Sequence, residues 1–126
     1  MVQLAPQWTM DVERGPGWLF VRLHGPDSGD AEGSDLAEIL WSLLEQHFAL
    51  RMVLELDDVP LLRSSLIGHL VRLHKRIATH EGMLRICGLS AQQRDVLRAC
   101  RIDSCIPQYA SRTEAVMGTH WPNKPR

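Results

Sequence analysis

Two short apolar runs, Arg51 to Leu56 (RMVLEL) and Met83 to Cys87 (MLRIC), flank a single long helical pattern, and this arrangement constrains the fold more than any other feature. Between the runs Leu66, Leu70, Leu73 and Ile77 recur at i, i+4, i+7 and i+11, the spacing of one helix face. The pattern starts at Ser64 or Ser65, and Gly82, just past His80, stands as its stop. Runs so short and so rich in apolar residues suit strands covered on both faces. Two such strands joined through one helix form a right-handed crossover and pair in parallel, which places the chain among the α/β folds. Val53 and Ile86 are expected to be buried.

The remaining segments add to this unit. Trp8 to Glu13 and Trp18 to His24 alternate in character around Gly15-Pro16-Gly17, the pattern of an antiparallel hairpin. Gly25 to Gly33 (GPDSGDAEG) reads as a loop, and Ser34 as the N-cap of a helix from Asp35 to His47 with Leu36, Ile39, Leu40, Leu43 and Leu44 at helical spacing. Pro60 takes the chain out of the sheet after Leu56. Ser90 and Gln93 have the spacing of a capping box at the head of a third helix, which turns Val96, Leu97 and Cys100 inward. An extended piece from Cys105 to Tyr109 and a small helix from Arg112 to Met117 complete the order ββαβαβαβα. The expectation is a mixed, mostly parallel sheet of about five strands with about four helices. It forms one domain over residues 1–118, followed by a loose tail over 119–126.

A chain of 126 residues buries roughly two-thirds of its unfolded surface and needs no staples. A net charge of −1 excludes a general affinity for nucleic acid. Cys87, Cys100 and Cys105 are odd in number and form no C-x-x-C pair, so they read as the reduced thiols of a cytoplasmic protein. The start, Met1-Val2-Gln3-Leu4, has no basic stretch before an apolar core, and no apolar run reaches bilayer length, so neither export nor membrane insertion is expected. His69, His74 and His80 are spaced by five and six and do not share a helix face, so no metal is expected. Asp27, Asp30 and Glu32 lack the regular spacing of a calcium loop. No nucleophile elbow surrounds Ser64, which makes an esterase-like Ser64–His69 pair a distant reading, and neither an enzyme nor a cofactor is expected.

Sites in open α/β sheets form where the chain leaves the carboxyl ends of strands, here at Gly25 to Ser34, Asp57 to Ser65 and Cys87 to Ser90. The middle turn places apolar residues in a loop and then two hydroxyls in the first turn of a helix. From spacing alone Ser64 is the helix cap, and a phosphate on Ser64 or Ser65 would be held by the open N–H groups of the helix end. Leu62 and Leu66 flank the turn as apolar contacts for a partner, and Ser65, Gly68, His69, Arg72, Lys75, Arg76 and Thr79 form a polar ridge leading away from it.

At this turn the sequence resembles the STAS domain of bacterial anti-sigma factor antagonists. In that family a VVLDL strand precedes a V-x-x-[ML]-D-S-[ST]-G-[LI]-G motif and a helix reading roughly LLxLxKRxxxxGGxLxLxGL. The corresponding residues are Val53-Leu54-Glu55-Leu56, then Val59 through Gly68 (VPLLRSSLIG), then Leu70 to Arg76 and Glu81 through Leu89. Val96 to Arg101 and Glu114-Ala115-Val116 match later features. The resemblance implies a STAS-like fold, no enzymatic activity, and a partner switch in which an anti-sigma factor serine kinase binds the chain and phosphorylates Ser64, with Ser65 as fallback, and a serine phosphatase reverses the step. It implies a partner-binding surface of Leu62, Arg63, Ser64, Ser65, Leu66, Gly68, His69 and Arg72, with Asp27 and Asp30 beside it. The chain departs from the motif at Arg63, where the family has an acid, and at Leu66, where it has glycine. These departures leave open a different kinase, a site that binds phosphate without being modified, or lost regulation. The alternative function is a stand-alone STAS module that binds a small ligand or nucleotide, or a signalling scaffold.

Overall fold

The computed structural model describes residues 2–5, 8–25, 36–59, 62–102 and 105–118. The elements are β1 (Val2–Ala5), β2 (Trp8–Gly15), β3 (Trp18–His24), α1 (Leu36–Gln46), β4 (Arg51–Asp58), α2 (Ser64–Thr79), β5 (Met83–Cys87), α3 (Ala91–Ala99), β6 (Gln108–Tyr109) and α4 (Arg112–Met117). They form a single α/β domain whose strands make one mixed sheet in chain order, β1-β2-β3-β4-β5-β6. The first two pairings are antiparallel and the last three parallel. The order expected from sequence gains one strand, β1, whose four residues are too few to show a period; the expected Ser34 cap and the 119–126 tail lie outside the described residues.

Side chains alternate across each strand, and β4 divides the interior in two. Met52, Leu54 and Leu56 join Leu40, Leu44, Leu70, Leu73 and Ile77 in the larger core beneath α1 and α2. Val53 points the other way, into a smaller cluster with Trp18, Phe20, Cys87 and Ala115 of α4. Val53 and Ile86 are both buried, as the crossover unit requires. Glu55 shares the second face and is only 3% exposed. Its carboxylate accepts hydrogen bonds from Arg22 Nη2 at 2.9 Å and from Arg112 Nη2 at 2.6 Å and Nε at 2.9 Å. Arg85 adds a bond from Nη1 to the Ala115 carbonyl at 2.6 Å, so two arginines fasten α4 to the sheet. In α3, Leu97 and Gln93 face inward, whereas the expected inward Cys100 is exposed, because the helix ends at Ala99 and the chain turns away there.

Three helices end in the same way. The amides of Ala49, Gly82 and Ile102 each donate at 2.9 Å to a carbonyl five residues back, at Leu44, Ile77 and Leu97. The residue before each donor is left-handed, namely Phe48 (φ 52°), Glu81 (φ 64°) and Arg101 (φ 61°). Gly82 is therefore not itself the left-handed stop of α2; Glu81 is. Glycine stands at the next position because a Cβ there would lie 2.1 Å from the Leu50 carbonyl oxygen and 2.8 Å from Ile77 Cγ2. That carbonyl is fixed, since it accepts from Met83 N at 2.8 Å where β5 begins beside β4. Gly82→Ala is accordingly expected to cost about 1–3 kcal/mol through overpacking. Glu81→Gly, which removes the left-handed penalty, is expected to raise stability by roughly 1 kcal/mol. Urea midpoints of the two variants should move in opposite directions.

Candidate functional site

The turn after β4 delivers the chain to α2 at the carboxyl end of the parallel strands. The N-cap of α2 is Arg63, extended at φ −85° and ψ 160°, and its side chain makes no capping bond. Ser64 is thus the first residue inside the helix and not its cap, which corrects the reading from spacing; its side chain is exposed, while Ser65 is half-buried. The first turn of α2 holds no acidic residue. With no side-chain capping bond from Arg63 and no acid in its first turn, this helix brings the positive end of its dipole to where the two hydroxyls stand.

The turn is held from beneath. Val59 is buried, and its carbonyl accepts from Gln93 Nε2 at 2.6 Å. Gln93 also completes the capping box of α3, accepting from Ser90 N at 2.9 Å and donating its own amide to Ser90 Oγ at 3.1 Å. The sequence shows the capping box, but the tie to a residue 34 positions away has no local signal. Leu62 packs against the main core while remaining half-buried.

Leu66 and His69, expected to face a partner, do not. Leu66 is fully buried in the main core. His69 is 7% exposed, and its Nδ1 accepts from the Ala37 amide at 3.3 Å and from Arg72 Nη2 at 2.6 Å. Two donors on Nδ1 leave the ring proton on Nε2, and the imidazole serves as a cap for the start of α1. It therefore cannot act as a base for Ser64. Both residues belong to the stripe Leu66, His69, Leu70, Leu73 and Ile77 that α2 turns to the core, at spacings of three and four. Arg63, Ser64 and Arg72 are exposed and Leu62, Ser65 and Gly68 half-buried, while Asp27 and Asp30 lie outside the described residues. Along the ridge, Lys75, Arg76 and Thr79 are exposed, and Arg76 pairs with Glu38 while lying 4.8 Å from the Trp41 ring.

A charged cluster that sequence reasoning missed occupies the other face at the same end. Arg22 approaches Asp58 at 3.5 Å, and His24 sits between two carboxylates, with Nε2 2.8 Å from Asp11 and Nδ1 3.1 Å from Asp58. The bond from His24 holds the Asp11 carboxyl below its ordinary range. Glu55, Asp57 and Cys87 could bring three ligand atoms within 4.8 Å of one another. Glu55, however, is already engaged by two guanidinium groups, and burial, with Glu55 and Asp57 nearby, pushes the Cys87 thiol up to about 12. A neutral thiol and an occupied carboxylate make a poor metal site.

The sequence matches the model of the STAS domain family over residues 9–115. No curated protein sequence matches closely. Among solved structures, an anti-sigma factor antagonist from Mycobacterium paratuberculosis superposes with a TM-score of 0.72 at 20% identity, covering 90% of this chain and 96% of the other. A STAS domain anti-sigma factor antagonist protein from Planctomyces limnophilus gives 0.70 at 23% identity over 86% and 96%. The Bacillus cell fate determinant SpoIIAA, in its phosphorylated form, gives 0.61 at 13% identity over 87% and 98%. At these identities the likeness establishes a shared fold. Among the described residues no helix is long and apolar enough to cross a membrane.

The environment of the three cysteines sets a test of this geometry. Cys100 and Cys105 are exposed and Cys87 is buried, so native protein should release two equivalents rapidly with dithiobisnitrobenzoate and the third only on unfolding. Because the folded state keeps the Cys87 proton to about 12 while an unfolded thiol loses it near ~8.5, stability should fall as pH rises through that interval. Rapid release of three equivalents at neutral pH would place Cys87 outside the core.

Proposed function

This chain belongs to the STAS domain family, and from that premise we propose that it is a partner-switching regulator of bacterial transcription, a cytoplasmic protein that binds an anti-sigma factor kinase under the control of phosphorylation at Ser64 and thereby frees a sigma factor. The observation that carries this reading is the exposed Ser64 hydroxyl in the first turn of α2, on a helix with no side-chain capping bond from Arg63 and no acid in that turn. A phosphate carries roughly −1.5 to −2 charges. At this helix end it meets the positive end of the helix dipole and the flanking Arg63, so modification leaves the fold intact and changes only what the surface presents. The face that meets the kinase comprises Leu62, Arg63, Ser64, Ser65, Gly68 and Arg72, continuing to Lys75; Leu66 and His69 support it from within. A serine phosphatase returns the chain to its binding form. Arg63, where other members carry an acid, makes the site more attractive to phosphate and selects a kinase that accepts a basic residue before its target.

The second reading, a module for a small anionic ligand, has one observation behind it. A cavity of about 360 Å³ between α1 and α2 is lined, among the described residues, by Arg72, Lys75 and Arg76 against one acid, Glu38. Calorimetric titration with nucleotides in the absence of any protein partner separates this reading from the first.

Ser64→Asp is expected to weaken binding to the cognate anti-sigma kinase by about tenfold or more, at least ~1.4 kcal/mol in association free energy, with the thermal midpoint nearly unchanged. Ser64→Ala should bind as the parent does and gain no phosphate at that position. Mass spectrometry after incubation with the kinase and ATP supplies the test. Phosphate on neither Ser64 nor Ser65, together with parental binding by Ser64→Asp, would remove the switch from this account.

A further inference from the structure

At the opposite end of the sheet, where the parallel strands begin, the chain holds Phe48 in a position that is unfavourable on two counts. The residue is left-handed, at φ 52°, where glycine is most at ease, and its side chain is 95% exposed. Glu81 and Arg101 occupy equivalent helix ends, but both are charged side chains at home in water. Nothing in the folding of α1 calls for an aromatic ring there. Leu50, two residues on, is 46% exposed, and Met83, its neighbour across the start of β5, is exposed as well.

Phe48 and Leu50 border a concavity of about 430 Å³, with Trp18 and Gly17 of the hairpin on its other wall and Arg14 and Arg51 at its rim. Among the described residues no acid lines it and neither guanidinium has a carboxylate partner; Arg51 lies 5.9 Å from the Trp18 ring. The volume is that of a site for one or two side chains. We infer that this pocket is a second docking site, and that it takes an acidic peptide segment of a partner protein carrying an apolar side chain between its carboxylates. The apolar group fills the space between Phe48, Leu50 and Trp18, and the carboxylates meet Arg14 and Arg51. The eight residues of β4 separate this pocket from the turn after β4 by roughly 25 Å, so a segment seated here leaves Ser64 uncovered. The inference is independent of the kinase reading, because it uses none of the residues of α2.

Titration of ¹⁵N-labelled full chain at low salt with a short synthetic peptide, glutamates around a central Leu-Phe pair, tests it directly. Shifts are expected at residues 14–18 and 48–51, with α2 unmoved. Replacing the peptide's glutamates by glutamine should weaken binding about tenfold, as should Arg14→Glu with Arg51→Glu. Phe48→Gly is expected to abolish binding while raising the melting temperature, a combination that loss of structure cannot produce. Absence of shifts, equal affinity for the glutamine peptide, or parental binding by Phe48→Gly would overturn the proposal. So would concentration-dependent shifts at the same residues without peptide, which would assign the pocket to a second copy of this chain.

Discussion

Everything in this domain hangs on a strand that is covered from both sides. β4 runs between two parallel neighbours and sends Met52, Leu54 and Leu56 under α1 and α2, and Val53 toward α4. A strand in that position has no solvent face, so its one inward polar residue must be satisfied by the protein. Glu55 is satisfied by Arg22 from β3 and Arg112 from α4, elements 33 and 57 residues away. Removing one member of a buried ion pair typically costs about 3–5 kcal/mol. Here both arginines are part-exposed, and each can return to water more cheaply than Glu55 can, so the carboxylate is the member that most needs its partners.

The buried course of β4 fixes where Val59 lies, just before the chain turns toward α2. Gln93 secures the Val59 carbonyl from one side, and Leu66, buried in the first turn of α2, secures the helix from the other. Ser64 and Arg63 are left exposed beside these buried anchors. A charge added at such a site would leave the core untouched, which is the property that the proposed switch requires.

The parallel core was legible because its signal is local: RMVLEL and MLRIC are short, apolar and separated by one long helical pattern, and β5 and α4 have the expected bounds. The inward orientation of His69 was also within reach, since it lies three residues after Leu66 and four before Leu73 on the apolar stripe, and only its polarity argued for the surface. Leu66 was misplaced by reading the turn instead of the helix that follows it. The charged cluster around Glu55 was not legible. Its members come from β2, β3, β4 and α4, and no spacing rule joins Glu13, Arg22, Glu55 and Arg112 before the sheet order is known. The exposed Phe48 pocket was hidden for a different reason, because a phenylalanine near the end of an amphipathic helix reads as core until the left-handed turn is seen.

The central claim is that a partner kinase docks on the α2 face around Ser64. Hydrogen exchange read by mass spectrometry, on the chain alone and saturated with that kinase, addresses it most directly. The account requires slowed exchange at residues 62–68 and along the exposed side of α2 through Arg76, with residues 48–51 unchanged. A saturated complex in which residues 62–76 exchange as they do in the free chain would contradict it.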